Sequence, residues 1–170
     1  MRIRQAIIAG SAVILVGKWI AQAHGQDGGP QPPWPAPPAP TDRAAYFAGQ
    51  DIQEVWKDLE KRQVINKRAL EGGAYSINIR IVKAGDAPLV HGRSADVWIV
   101  TGGSATAVTG GKLVDPKQRG QSDDYAGSSI INGVEQPLRP GDVVFVPPGV
   151  PHGFKDVKNF RAFLIRFNTK

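Results

Sequence analysis

Twelve residues near the C-terminus restrict this chain more than any other stretch: Gly141-Asp142-Val143-Val144-Phe145-Val146-Pro147-Pro148-Gly149-Val150-Pro151-His152. Val143 to Val146 is a run of β-branched and aromatic residues, which reads as a buried strand. A Pro-Gly turn follows, where proline withholds a backbone donor and glycine tolerates positive φ. The chain then resumes as a strand that aims the imidazole of His152 inward. Similar signals recur upstream. Tyr75, Ile77, Ile79 and Ile81 alternate with Ser76, Asn78 and Arg80, the pattern of a half-buried strand. Residues 96–101, 104–109, 142–147 and 160–167 read as further strands, punctuated by Gly102-Gly103, Gly110-Gly111 and Pro140-Gly141.

One helix precedes them. Ile52, Val55, Trp56 and Leu59 fall at i, i+3, i+4, i+7, with Asp51 as the expected cap and Glu54 three residues on. This helix ends near Arg62 or a little later, and Gly72-Gly73 bars continuation. Trp56 belongs to its packing face. Many short strands after a single helix indicate an antiparallel barrel or jelly roll. Residues 115–129 are polar and aperiodic, and read either as a lid or as a mobile edge loop.

The first 40 residues are expected to lie outside that fold. Met1 to Gln5 is basic, Ala6 to Gly17 is an uncharged, mostly apolar run, and Ala21-Gln22-Ala23 has the small-residue spacing of a cleavage site. Residues 1–23 therefore read as a signal peptide and the protein as exported, periplasmic or secreted, with no stable membrane span after cleavage. Twelve helical residues rise only about 18 Å, short of a hydrocarbon core of about 30 Å. Residues 24–40 hold seven of the 14 prolines and read as an extended linker. Residues 41–73 form a helical extension and 74–170 the barrel.

Counts exclude several chemistries. The chain of 170 residues has no Cys, so disulfides, thiolate nucleophiles and Cys-ligated metals are absent. Imidazole chemistry is confined to His24, His91 and His152, and His24 lies in the linker. The formal charge of +6 falls to +3 when Arg2, Arg4 and Lys18 leave with the leader. With no basic run of five or more residues, no nucleic-acid partner is expected. No G-x-S-x-G turn is present for a serine hydrolase.

The stretch from Gly141 to His152 resembles the second motif of the cupin superfamily, G-x5-P-x-G-x2-H-x3-N. Gly141, Pro147, Gly149 and His152 are in register, and Asp156 stands in place of the final Asn. The first cupin motif, G-x5-H-x-H-x3-4-E-x6-G, is matched incompletely from Gly85 to Gly103. One His is present and Asp96 replaces Glu. Counting from Gly85 makes His91 the first histidine, with Arg93 in the second place. Counting back from Asp96 makes it the second, with Leu89 in the first. In both, His91 is expected to point inward, with 89, 91 and 93 on one strand face. The resemblance covers roughly residues 74–167. The part from Ala95 to Gly111 is also similar to small uncharacterised bacterial single-domain cupins. It implies an all-β, cupin-type double-stranded β-helix (a jelly-roll barrel) with the N-terminal helix packed outside.

Metal-binding cupins present three histidines and a glutamate. His91, Asp96 and His152 supply at most a two-His, one-carboxylate set for one divalent ion (Fe, Mn, Ni or Zn). The same two histidines could equally be barrel-lining imidazoles bonded to neighbours or ligand. Arg93 is either a cation in the barrel that clamps a carboxylate or phosphate, or a surface loop residue. Trp98 lines either a pocket or the core. Tyr125, beside Asp123 and Asp124, either closes on a ligand or belongs to a solvated loop. His152, Arg93 and Trp98 are thus the candidate ligand contacts.

Three functions stay open. The incomplete first motif favours a non-catalytic binding cupin for a small polar or anionic molecule. A metal-dependent dioxygenase, isomerase or lyase is the second reading, and a structural or assembly cupin the third. A homodimer is expected, because an open sheet edge needs cover.

Overall fold

The computed structural model describes residues 36–169. The leader and His24 lie outside the described residues, as does most of the linker. The last linker residues pair with the sheet: Glu71 N–H donates to Pro37 O at 2.9 Å, and Ala39 N–H to Glu71 O at 2.8 Å.

Helix α1 runs Gly49–Arg62. It starts two residues before the expected cap, and Ala48 occupies the N-cap position with no side-chain bond. Asp51 sits instead in the first turn, where its charge suits the positive end of the helix dipole. Gln63, left-handed at φ 58°, ends the helix, and its N–H bonds back to Glu60 O at 3.2 Å.

Eleven strands follow: β1 (Asn66–Glu71), β2 (Tyr75–Ile81), β3 (Leu89–Val90), β4 (Ser94–Thr109), β5 (Lys112–Val114), β6 (Lys117–Gln118), β7 (Tyr125–Ala126), β8 (Ser129–Ile131), β9 (Val134–Leu138), β10 (Val143–Val146) and β11 (His152–Asn168). The fold is the jelly-roll type, with all described strand pairs antiparallel save the Pro38–Glu71 bridge. Two differences from the sequence expectation stand out. Within 41–73, residues expected to belong to a helical extension form strand β1. The two strands expected either side of Gly102-Gly103 are one continuous β4, bent where its register with β11 shifts.

Strands β4 and β11 are the spine. They pair from Ser94–Asn168 to Thr109–His152, β2 flanks β11, and β9 and β10 flank β4. Trp98, Val100, Ala162, Leu164, Phe160, Leu138 and Val146 form the main core on the inner face. On the outer face α1 covers Ile79, Ile81 and Phe163 with Trp56 and Leu59. Trp56 meets Phe163 at 5.8 Å between ring centroids, and Glu60 accepts from Arg161 Nη2 at 2.6 Å. Trp56 therefore packs, as its helical spacing predicts.

Register fixes an unexpected feature of the inner face. Ser76, Asn78 and Arg80 lie opposite Arg166, Leu164 and Ala162 of β11, which in turn lie opposite Asp96, Trp98 and Val100 of β4. Cross-strand partners share a face. The polar side of β2 thus points into the barrel, and Ser76 and Asn78 are 5% and 3% exposed. The apolar side lies under the helix. Both faces of β2 are buried, and the polar residues form the lining.

Candidate functional site

The two motif segments meet because their turns are tied together. Gly149 N–H donates to His91 O at 2.8 Å. Gly149 sits at φ 77° and Gly141 at φ 98°, with nothing within 4 Å of either position's would-be Cβ. Glycine is required there by conformation rather than by crowding. Asp156, at the motif's departure from Asn, takes a left-handed φ of 54° and accepts from Thr106 Oγ1 at 3.1 Å.

His91, Asp96 and His152 are all buried and converge, with one ligand atom from each within 4.8 Å of the others. His91 Nε2 is 3.7 Å and His152 Nε2 3.6 Å from Asp96 Oδ2. The sequence expectation that these three share one place is met. Leu89 is the cross-strand partner of His152. This arrangement fits the count back from Asp96, in which Leu89 stands where a further histidine would face the site.

Two residues not singled out from sequence complete the cluster. Arg166 Nε donates to Asp96 Oδ1 at 2.7 Å, and Nη2 to Asp96 Oδ2 at 3.0 Å. The same Nη2 lies 2.8 Å from His91 Nε2. A guanidinium only donates, so His91 Nε2 accepts and its proton is on Nδ1. That Nδ1–H donates to Asp124 Oδ2 at 2.8 Å. His152 Nδ1–H donates to Val150 O at 3.1 Å, which leaves Nε2 turned toward Asp96.

The electrostatics follow from these contacts. Burial favours the neutral imidazole and holds His91 below its ordinary value, against the opposing bond to Asp124. Burial alone would raise the Asp96 carboxyl. Contacts with His152 and the Arg166 guanidinium outweigh it and hold the group well below the usual carboxylate range. Asp124 is lowered in the same way, its bond to His91 opposing burial.

Segment 115–129 contributes the small strands β6 and β7, and β7 pairs with β3 beside the site. Asp124 closes on His91, and Asp123 accepts from Arg93 Nε. The segment therefore lies against the site through Asp124. Tyr125 is 39% exposed and its pair on β3 is Val90.

Arg93 is not in the barrel. Its side chain is 68% exposed, because β3 ends at Val90 and the alternation that would place 89, 91 and 93 on one face stops there. The cation beside His91 and Asp96 is Arg166, whose side chain is 16% exposed. Trp98 is a core residue, 4.8 Å edge-to-face on Phe154, yet its buried Nε1–H finds no acceptor among the described residues.

A divalent ion is what the cupin resemblance implies, and the donor set fits one in part. Ligands on a tetrahedral ion with bonds of about 2.1 Å lie about 3.4 Å apart, close to the 3.6 and 3.7 Å found here. However, the single lone pair of His91 Nε2 is engaged by Arg166. His91, Asp96 and His152 would hold the ion, and the ion would supply Lewis-acid chemistry.

No family model matches the chain, and no curated protein does. Solved structures resemble it in fold. A Bacillus halodurans protein is 8% identical with a TM-score of 0.49, over 78% of this chain and 87% of that one. An uncharacterised protein with a double-stranded β-helix domain from Klebsiella pneumoniae is 20% identical with a TM-score of 0.43, over 62% and 79%. A cupin 2 conserved barrel domain protein from Salinispora arenicola is 18% identical with a TM-score of 0.41, over 61% and 74%.

Proposed function

We propose that this chain is an exported single-domain cupin that binds a small polar or anionic molecule inside its barrel. One observation carries the reading: beside its apolar core, the inner face carries a polar and cationic strip that crosses β11, β2 and β1. From Arg166 the lining continues through Ser76 and Asn78 to Arg80, and on β1 to Arg68 and Asn66, the cross-strand partners of Asn78 and Arg80. Asn78 donates to Ser76 Oγ and to Leu164 O, both at 3.1 Å, and its Oδ1 accepts from Arg68 Nε at 3.5 Å. Arg68, Arg80 and Arg166 put three guanidinium groups on this face, and guanidinium groups match carboxylate geometry. The Trp98 indole N–H adds a buried donor that needs an acceptor.

Calorimetric titration of the mature protein with small mono- and dicarboxylates tests it. Saturable binding that falls at least tenfold in Arg166→Gln supports the reading. No heat at millimolar ligand refutes it.

A metal-dependent enzyme is the second reading, favoured by the convergence of His91, Asp96 and His152. A third proposal concerns association. Val143 and Phe145, exposed at 62% and 63%, continue an apolar strip across Val97, Ile99 and Ile165 on the outer face beyond the reach of α1. This strip is where a second copy would pack, as sheet faces do. Export rests on the leader residues alone, and N-terminal sequencing of protein recovered outside the cytoplasm tests it, with Ala23–His24 as the expected cut.

A further inference from the structure

We infer that Arg166 is a built-in competitor for the metal position, so that the site as folded is closed to a divalent ion until this side chain withdraws.

Imidazole Nε2 has one lone pair. On His91 it is spent on Arg166 Nη2 at 2.8 Å, while Nδ1 is committed to Asp124 at 2.8 Å. Ligation by His91 and the bond from Arg166 therefore exclude each other. Asp96 is drawn in too: both its oxygens accept from Arg166, at 2.7 and 3.0 Å. Two of the three donors an ion would use are thus already bound to one cation. Arginine cannot remove the conflict by losing its proton, since its pKa lies above about 12. Only movement can.

Charge acts in the same direction. The Arg166 guanidinium already offsets the Asp96 carboxylate, so an arriving divalent ion finds its one carboxylate ligand paired with a cation at close range. Packing makes withdrawal costly. Arg166 is 16% exposed, and β11 holds it between Ser76 of β2 and Asp96 of β4. An arginine whose role was only to orient Asp96 would not need its second nitrogen on His91.

The test is metal affinity, read without any turnover. Chelator-treated wild type, Arg166→Gln and Arg166→Gln/His152→Ala are titrated with cobalt(II), followed by visible absorption and by calorimetry. The expected result is at least tenfold tighter binding in Arg166→Gln than in wild type, with the gain lost in the double variant. Equal or weaker binding in a folded Arg166→Gln protein overturns the proposal, because it makes the arginine a support for the ligands. If Arg166→Gln does not fold, zinc titration of the wild type decides by NMR. Movement of the Arg166 Nε–H resonance together with the His91 ring signals is expected, and metal loading with that resonance unmoved overturns the proposal. Carboxylate titration of the same samples reports separately on the ligand reading, so either can fail alone.

Discussion

Replacing Asp96 by alanine probes the centre of this site. Asp96 is 1% exposed and is bonded through both oxygens to Arg166. Removing one partner of a buried ion pair leaves the other charge uncompensated, which costs about 3–5 kcal/mol. For the 134 described residues, an unfolding entropy of about 2.1 cal/mol/K per residue converts that to a Tm lower by about 10–18 °C. Replacing both partners behaves differently. Asp96→Ala/Arg166→Met has no stranded charge, and much of the loss should return. The assay is calorimetric or circular-dichroism melting of wild type, both single variants and the double variant. A loss under about 1 kcal/mol in Asp96→Ala would show that solvent already screens the pair. Strict additivity in the double variant would show that the two residues do not act together.

Acid should weaken the fold in two stages. His91 is held neutral with its folded-state value below the ordinary 6.5, so its contribution is complete above 6.5 and is lost as pH falls below it. Asp96 and Asp124, lowered from 3.8, lose theirs only below that value. Tm measured from pH 7 to 3 should fall throughout, and His91→Gln should flatten the upper stage; a Tm that rises between pH 7 and 5 contradicts this. Leu89→His places an imidazole opposite His152 and should tighten zinc binding at least tenfold by calorimetry. No change would mean that position 89 does not face the ligands. Phe145→Glu puts a charge on the exposed strip and should convert a dimer to monomer by light scattering, with Tm at low concentration altered by less than about 1 kcal/mol equivalent, as for surface changes. A wild type already monomeric at micromolar concentration removes that proposal.

The barrel was legible because its punctuation is local. Gly141 and Gly149 need positive φ, and Pro147 ends a strand, so each marks a corner without reference to the rest of the chain. Strand β1 was missed for the complementary reason. Asn66-Lys67-Arg68-Ala69-Leu70-Glu71 contains no β-branched or aromatic residue, and it is a strand because β2 offers it a free edge. Strand β2 reads as half-buried yet both of its faces are covered, because alternation shows two faces without saying what packs on each. Ile79 and Ile81 lie under α1, and Asn78 lies in the barrel.

At the site, His91, Asp96 and His152 follow from motif spacing, while Arg166 and Asp124 come from chain segments 75 and 33 residues away from His91. Arg166 had a signal. In Ala162-Phe163-Leu164-Ile165-Arg166 it occupies the inward phase with Ala162 and Leu164, and a charge in that phase of a buried strand needs a partner inside. Asp124 had none beyond its place in a polar loop. Arg93 drew attention because the count from Gly85 puts it in the place of the second histidine, but the strand ended three residues too soon to turn it inward.

The most direct test of the account is NMR of the 15N-labelled protein titrated with a small dicarboxylate. The account predicts saturable shifts of the Arg166 and Arg80 Nε–H signals and of the Trp98 indole N–H, with Arg93 unmoved. Shifts confined to Arg93 and other exposed arginines, or none at millimolar ligand, would contradict it.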